Sequence, residues 1–335
     1  MFAFFAEIDH PVQMHPLRHH GAQLSLSRSP IGRRIGILAA AAGLTAGLAV
    51  SLPTTAEASD SPEGVVMAVS GLTTDHGYWR ESGTGRWTNG RGTLKPGVGV
   101  AQSGSITHLV GTDDQGRLVH RTNRSSWHAL TDTACNSPTI VTSKDTVHGA
   151  CVGSNGTPQA FSFKANDQHP SVSLKGLGGQ VTSVAVAVDR DGPVYFANGN
   201  GYRIPSTGAT GNVYVRYPSS AGWERWDARC TGPVAAAITA KRATVACQDY
   251  ERVRVEIFMP RNENSILHKL KGSTSGKMAV VPTGDGSSAM LLAQGRDGVP
   301  RHQRIDDTGG AGSWAAVGGG SRGGVAGASV KDLTP

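Results

Sequence analysis

The sequence predicts an all-β protein, a six-bladed β-propeller made of four-stranded blades. Its composition favours short strands joined by tight turns, because 45 of the 335 residues are glycine and only 17% are charged. A second observation is a repeat: a Trp, a turn, an apolar run, a polar turn and another apolar run follow Trp127 and return after Trp226. The repeat length of about forty to fifty residues is typical of propeller blades.

The first strand of each predicted blade consists mainly of Ala, Val, Gly, Ser and Thr. Small side chains of this kind fit the tapering centre of a propeller, where the innermost strands surround a channel. Six such runs begin successive repeats. They are Gly97–Gln102, Pro138–Ser143, Val181–Val188, Pro233–Ala240, Lys277–Pro282 and Gly323–Val330.

The two ends of the repeat region complement each other. Gly323–Val330 is a first strand with no hairpin after it, whereas Val65–Gly71, Tyr78–Ser82 and Arg86–Asn89 are later strands with no first strand before them. Joined, they make one blade. Closing the ring with strands from both ends also removes exposed sheet edges, so the predicted ring has six blades, with the C-terminal strand completing the first.

Residues 1–58 are predicted to be an export signal and leader, and residues 59–335 a single propeller domain. Arg33 and Arg34 precede an apolar stretch rich in Ala and Gly, and Ala56-Glu57-Ala58 has the small-x-small pattern of a cleavage site. The general secretory route is favoured over twin-arginine export, because Gly36 stands where a large apolar residue is usual. The predicted location is extracellular, without membrane insertion after cleavage; an uncleaved, membrane-anchoring segment is the alternative.

The four cysteines are predicted to form two disulfides, Cys135 to Cys151 and Cys230 to Cys247. They occupy equivalent repeat positions, at the start of one predicted strand and the end of the next. If those two strands form a hairpin, each pair lies close together within one blade. The alternative is a zinc site, but the chain has no CxxC spacing.

The charge pattern bears on possible partners. The net charge is +7, yet no basic run is longer than Lys241-Arg242, so no stripe for nucleic acid is visible. A mildly basic secreted surface favours acidic envelope polymers.

Two segments of the chain resemble the PLL-like β-propeller lectins. The first comprises Gly104–Ile106, Gly111–Arg121 and Ser125–Trp127, and the second Gln294–His302, Gly312–Trp314 and Val317–Gly319. The resemblance implies a secreted binding propeller whose ligand is open. In that family the hairpin is followed by Leu-Trp, and the aromatic helps to line sugar pockets between blades. The corresponding residues are Leu118-Val119 and Val299-Pro300, while Tyr78-Trp79 keeps an aromatic.

Aromatic residues are the candidates for sugar stacking, since an aromatic face pairs with the apolar face of a pyranose. Trp87, Trp127, Trp226 and Trp314 hold the repeating position, which predicts packing between blades. The predicted ligand-binding residues lie off that register or in the long loop from Asn198 to Asn212. They are Tyr78, Trp79, Tyr202, Arg203, Tyr214 and Trp223, with core packing as the alternative for each aromatic.

The search for catalytic residues favours a non-catalytic protein without a cofactor. Glycoside hydrolysis needs two carboxylates facing one cleft, and the six innermost runs contain none. Asp145, Asp189 and Asp285 fall in predicted hairpin turns, where Asp bonds its own backbone. A calcium loop opening at Asp189 is the alternative to one of these turns.

The predicted function is therefore recognition of an extracellular glycan or cell-envelope polymer. Two alternatives from other classes stay open: a glycoside hydrolase or lyase acting on polysaccharide, and an extracellular protein-interaction scaffold.

Overall fold

A computed structural model describes residues 62–199, 211–249, 252–258, 265–270, 272, 274–306, 312–333 and 335. Every secondary-structure element within these residues is a β-strand, which confirms the all-β prediction. No helix able to cross a membrane occurs in that part of the chain. The predicted leader, Tyr202 and Arg203 lie outside the described residues.

Ten strands occupy the first half of the described chain. They are β1 (Val65–Gly71), β2 (Gly77–Arg80), β3 (Thr88–Asn89), β4 (Gly99–Ser103), β5 (Ile106–Thr112), β6 (Arg117–Thr122), β7 (His128–Ser143), β8 (Thr146–Gly153), β9 (Pro158–Lys164) and β10 (Lys175–Gly176).

The remaining strands follow in the same alternation of hairpins and short connections. They are β11 (Val181–Asp189), β12 (Gly192–Gly199), β13 (Gly211–Arg216), β14 (Glu224–Cys230), β15 (Val234–Ile238), β16 (Ala243–Asp249), β17 (Arg252–Phe258), β18 (Ser265–Leu270), β19 (Thr274–Thr283), β20 (Ser288–Gly295), β21 (Pro300–Ile305), β22 (Ala315–Ala316) and β23 (Ser321–Ser329).

These strands pair as six antiparallel units of four, counted over the described residues. Unit 1 is β23-β1-β2-β3, unit 2 is β4 to β7, unit 3 is β7 to β10, unit 4 is β11 to β14, unit 5 is β15 to β18 and unit 6 is β19 to β22. The long strand β7 serves twice: its first part pairs with β6, and from Cys135 onward it pairs with β8. Unit 1 combines both chain ends, because β23 pairs with β1 from Val65 opposite Ser329 to Gly71 opposite Ser321.

The hydrophobic core lies between units rather than within one of them. Strand β1 shows why: all seven of its residues are buried. Val65, Met67 and Val69 pack against unit 6, whereas Val66 and Ala68 pack against unit 2. A strand covered on both faces needs apolar side chains on both, and its sequence VVMAVSG supplies them.

Each junction between neighbouring units has a hydrophobic cluster of this kind, six in the described residues. The innermost strands follow one another in space as β23, β4, β7, β11, β15 and β19, and β19 in turn contacts β23. All six line one central cavity, which we call the channel. The observed innermost strands agree with the six predicted runs to within three residues at each end, apart from β7, which also contains the outer strand of unit 2.

Both predicted disulfides are present, Cys135–Cys151 and Cys230–Cys247. The expectation that each bridge lies within one blade is wrong for the second. Cys230 ends β14, where it pairs with Gly211 in unit 4, and Cys247 belongs to β16 of unit 5. The chain leaves unit 4 at this cysteine, so the bridge joins two units, and both bridges lie inside the clusters at unit junctions.

Candidate functional site between neighbouring units

The turn between the second and third strands has the same construction in four units. A glycine ends or follows the second strand, and a side chain from the third strand lies over it; we call the residue that carries this side chain the third-strand position. Its Cα partner is always the residue two before that glycine. The pairs of glycine and covering residue are Gly71 with Tyr78, Gly153 with Gln159, Gly199 with Tyr214, and Gly295 with Arg301.

In three of these units, those of Gly71, Gly199 and Gly295, a Cβ on the glycine would come within 3.0 Å of the covering side chain. At Gly71 it would lie 2.8 Å from Cε2 of Tyr78, and at Gly199 2.6 Å from Cε2 of Tyr214. Unit 2 departs from this pattern: Asp113 replaces the glycine, and the third-strand position is Val119, opposite Gly111.

This geometry corrects the register inferred from the lectin resemblance. Val119, Tyr78 and Arg301 are equivalent, so the pairs that correspond to Leu118-Val119 are Gly77-Tyr78 and Pro300-Arg301 rather than Tyr78-Trp79 and Val299-Pro300. Trp79 points to the opposite face of β2. Its ring is 5% exposed in the cluster between units 1 and 2.

A tryptophan immediately before the fourth strand marks the junction with the preceding unit. Three indole N–H groups donate to carbonyl oxygens of a glycine turn there: Trp87 to Gly318 at 3.2 Å, Trp127 to Gly90 at 2.9 Å, and Trp223 to Gly178 at 2.9 Å. In unit 6, Trp314 lies against Gly272 of unit 5, where an added Cβ would lie 3.1 Å from the indole nitrogen.

The predicted repeat position is therefore held by Trp223 and not by Trp226. Trp226 lies three residues farther along, inside β14, and packs against Phe196 with ring centroids 5.6 Å apart. Two tryptophans this close in sequence left the register ambiguous, and the hydrogen bonds to the glycine turn resolve it.

Three buried or half-buried arginines accompany these tryptophans, each two residues after the third-strand position. Arg80, Arg121 and Arg216 donate to the carbonyl oxygens of Val317, Gly90 and Leu177 in the preceding unit. The guanidinium of Arg121 also lies 4.9 Å from the centroid of Trp79 and 5.8 Å from that of Trp127. Burial lowers the pKa of Arg121, with the nearby charge of Arg91 adding to the effect.

These arginines were not among the residues predicted from the sequence to form the site. The sequence does contain an Arg at the same position in the third strand of three units. Its role can be recognised only when the glycine turn of the preceding unit is located in space.

A cavity of about 360 Å³ opens beside the third-strand position of unit 6. Its lining comes from both unit 6 and the connection to it from unit 5: Gly272, Thr274, Ala293, Gly295, Arg296, Asp297, Arg301 and Trp314. We call it the unit 5/6 pocket.

An ion pair fixes the polar side of this pocket. The two terminal nitrogens of Arg301 donate to Asp297, at 2.8 Å to Oδ1 and 2.6 Å to Oδ2. The hydrogen bonds from Arg301 lower the pKa of Asp297 to about 2, and they raise the pKa of Arg301. Both groups are therefore charged at neutral pH, and they stand beside the half-buried indole of Trp314.

Such an arrangement suits a polyhydroxylated ligand. A guanidinium donates hydrogen bonds, a carboxylate accepts them, and an indole offers an apolar face. Asp297 is the one carboxylate among the described residues that line the pocket, so the pair needed for glycoside hydrolysis is not formed there.

The other described residues of the predicted site are divided between units 1 and 4. Tyr78 and Tyr214 hold the third-strand position of units 1 and 4, and the hydroxyl of Tyr78 is 3.1 Å from Oγ1 of Thr74. Trp223 covers the glycine turn between units 3 and 4. The structure does not bring these residues into one pocket.

Two of the three predicted turn aspartates accept a hydrogen bond from a nearby backbone N–H. Oδ1 of Asp189 accepts from the backbone N–H of Arg190 at 2.7 Å, and Oδ1 of Asp285 from that of Ser287 at 3.0 Å. Asp145 forms an ion pair with Lys164. Over the described chain, no group of three or more potential metal ligands is found.

No protein-family model matches this sequence, and no curated protein matches it. Solved structures do match. TolB from Acinetobacter baumannii has a TM-score of 0.54 at 10% identity; the match covers 79% of this chain and 66% of that one. A mutant of AofleA from Arthrobotrys oligospora has a TM-score of 0.50 at 8% identity, covering 68% and 73%. The chain thus spans about two thirds of the TolB structure.

A fungal lectin from Aleuria aurantia, described as having a six-bladed β-propeller fold, reaches a TM-score of 0.48 at 12% identity over 66% of this chain and 78% of that one. At these identities the matches to TolB and AofleA concern the fold alone. Together with the strand topology they support a β-propeller.

Proposed function

We propose that this protein is a secreted, non-catalytic, six-bladed β-propeller that binds a glycan or cell-envelope polymer in pockets between blades. The observation that carries the proposal is the unit 5/6 pocket, where Trp314 stands beside the ion-paired Arg301 and Asp297. Pairing of β23 with β1 supports a ring closed by both chain ends. The two disulfides fit the oxidising conditions outside the cell.

Recognition in the unit 5/6 pocket would divide between two kinds of contact. The indole of Trp314 would cover the apolar face of a sugar ring. Arg301 and Asp297 would bond its hydroxyl groups, and their mutual ion pair holds both in place before the ligand arrives. No cofactor enters this scheme.

Further sites would use the third-strand positions of other units. Tyr78 lies in the same unit as Trp87, and Tyr214 in the same unit as Trp223, so units 1 and 4 present an aromatic residue where unit 6 presents Arg301. Tyr202 and Arg203 are proposed to contribute from their loop in unit 4. Several weak sites on one ring would act together on a polymer.

The test is a binding screen of residues 59–335, with disulfides intact, against a glycan array and purified wall polymers. A hit should weaken at least tenfold in Arg301→Ala, because the variant removes the charged donor from the pocket. Arg304→Ala is the matched control: it lies exposed on the same strand, outside the pocket lining. Absence of binding to every sugar by folded protein would refute the glycan proposal and favour a protein-interaction scaffold.

A further inference from the structure

The channel holds a cavity of about 120 Å³ among the six innermost strands. Its wall is made mainly of small and branched apolar side chains, such as Val186, Ala236, Ile238 and Ala279. This volume is less than the roughly 150 Å³ of an apolar cavity that binds benzene. The channel therefore has room for an apolar body smaller than benzene, such as a short alkyl chain.

Glycines narrow one end of the channel, where the innermost strands begin. A Cβ at Gly324 would collide with the backbone of Lys277, one at Gly323 with Pro96, and one at Gly99 with the carbonyl oxygen of Pro138. Close approach of the strands leaves space at this end for a single long side chain, that of Lys277.

The ammonium group of Lys277 crosses this narrow end from unit 6 to units 2 and 3. Its Nζ donates to the carbonyl oxygen of Val98 at 3.0 Å and to that of Pro138. An ammonium has three hydrogens, and two are used in these bonds. Burial lowers the pKa of Lys277 to about 7, so its charged and neutral forms are both populated near neutral pH.

The opposite end is bordered by the C-terminal segment Lys331–Leu333. Two hydrogen bonds hold this segment. The backbone N–H of Val330, the residue before it, donates to the carbonyl oxygen of Gly64 at 2.9 Å, and the backbone N–H of Lys144 donates to Oδ2 of Asp332 at 3.2 Å. Among the described lining residues, Lys331 and Asp332 are the ionisable groups at this mouth, and Lys277 is the one at the narrow end.

We propose that the channel binds a short-chain aliphatic carboxylate, with its carboxylate on Nζ of Lys277 and its alkyl chain against the channel wall. The apolar wall covers the body of the ligand, and the anion supplies the third partner of the ammonium. A buried cation without a counter-ion is costly, and a carboxylate next to it removes that cost. The site is separate from the unit 5/6 pocket, so the proposal does not depend on glycan binding.

The experiment compares butyrate, butyramide and butylamine by calorimetry with residues 59–335. These probes share a four-carbon chain and differ in charge. Butyrate should bind at least tenfold more tightly than butyramide, and butylamine more weakly than either. Because the ammonium form binds the anion, affinity for butyrate should fall about tenfold from pH 6 to pH 8. Equal binding of butyrate and butyramide, or no binding at about 10 mM, would overturn the proposal.

Two variants locate the site. Lys277→Met should abolish the preference for butyrate over butyramide. Since that variant also loses two hydrogen bonds between units, Ala237→Leu provides the second test: it enlarges a side chain that lines the channel and keeps the lysine. Ala129→Leu, an exposed change on β7, is its control. Unchanged butyrate binding in folded Ala237→Leu would place the ligand elsewhere and refute the inference.

Discussion

At the residue scale, the third-strand position links a glycine to a binding side chain. At Gly295, an added Cβ would overlap a terminal nitrogen of Arg301. That nitrogen ends a flexible side chain, so Arg301 would move rather than the backbone. The φ angle of Gly295 is not positive, so alanine at this position causes no backbone strain.

We accordingly expect Gly295→Ala to separate binding from stability. Displacement of Arg301 should weaken glycan binding about tenfold, while the free energy of unfolding changes by less than about 1 kcal/mol. Titration with the ligand and urea unfolding measure the two quantities. Gly312→Ala, where an added Cβ meets nothing within 4 Å, should leave both unchanged. A large loss of stability in Gly295→Ala would contradict this expectation, because it would mean that the side chain of Arg301 cannot move aside.

Four histidines form a second residue-scale feature, in the junction of units 2 and 3. Nδ1 of His108 lies 3.1 Å from Nε2 of His120, whose Nδ1 lies 3.3 Å from Nε2 of His128. The ring of His169 stacks edge-on against that of His128. Burial lowers the pKa of His108 to about 4, and burial with repulsion from the other three lowers that of His120 to about 2. Asp167 is a nearby acid that favours protonation of His128.

These depressed pKa values make stability fall in acid. Below pH 6.5 the unfolded chain takes up protons on these imidazoles, and the folded chain does not. At pH 5, His108 and His120 should each cost about 2 kcal/mol relative to neutral pH. Urea unfolding between pH 7.5 and 5 measures the slope, which should be shallower in His120→Leu. His76→Leu, a change outside the cluster, should keep the wild-type slope. An identical slope in His120→Leu would show that other groups cause the loss.

At the element scale, neighbouring units are joined by paired donors on one carbonyl group. In the junction of units 3 and 4, Arg216 and the indole of Trp223 both donate to the carbonyl oxygen of Leu177, the indole at 3.1 Å. Trp223→Phe removes the N–H and keeps an aromatic ring. It should lower the free energy of unfolding by about 1 to 2 kcal/mol.

A double-mutant cycle with Arg216→Met tests whether the two donors act together. The coupling energy should exceed about 0.5 kcal/mol, because both bond the same oxygen. Trp226→Phe, three residues farther along the chain but packed against Phe196, should show no coupling to Arg216→Met. Strict additivity of Arg216→Met and Trp223→Phe would contradict the shared contact.

Elements were predictable where the signal is local. The six innermost strands follow from small side chains at a regular period, and the cysteine pairs from their equivalent positions. Contacts between units were not predictable in the same way. Trp87 and Gly318 are 231 residues apart, and neither segment has a sequence feature that indicates contact with the other. Two further errors have the same cause: the repeat position was assigned to Trp226 instead of Trp223, and Cys230 was assigned to the wrong unit. Both assignments depend on where unit 4 ends, and the local sequence pattern locates that boundary only to within a few residues.

At the scale of the whole molecule, unit 1 is the place where the two chain ends meet. Strand β23 pairs with β1 along its length and contacts β19 on the other side through Lys277 and Gly324. Without it, the edge of β1 loses its partner, and apolar residues such as Met67 and Leu292 lose the cover of Val325. An unpaired apolar edge favours association with other chains.

A chain ending at Gly320 should therefore fail to form a stable monomer, whereas one ending at Val330 keeps every strand of unit 1 and should fold. Size-exclusion chromatography with light scattering and thermal unfolding distinguish these states. The chain ending at Gly320 is expected as aggregate, and a synthetic peptide of residues 321–330 added during refolding should restore monomer by supplying the missing strand. If the chain ending at Gly320 unfolds like the full-length protein, β23 does not close the ring, and the six-bladed architecture is wrong at this junction.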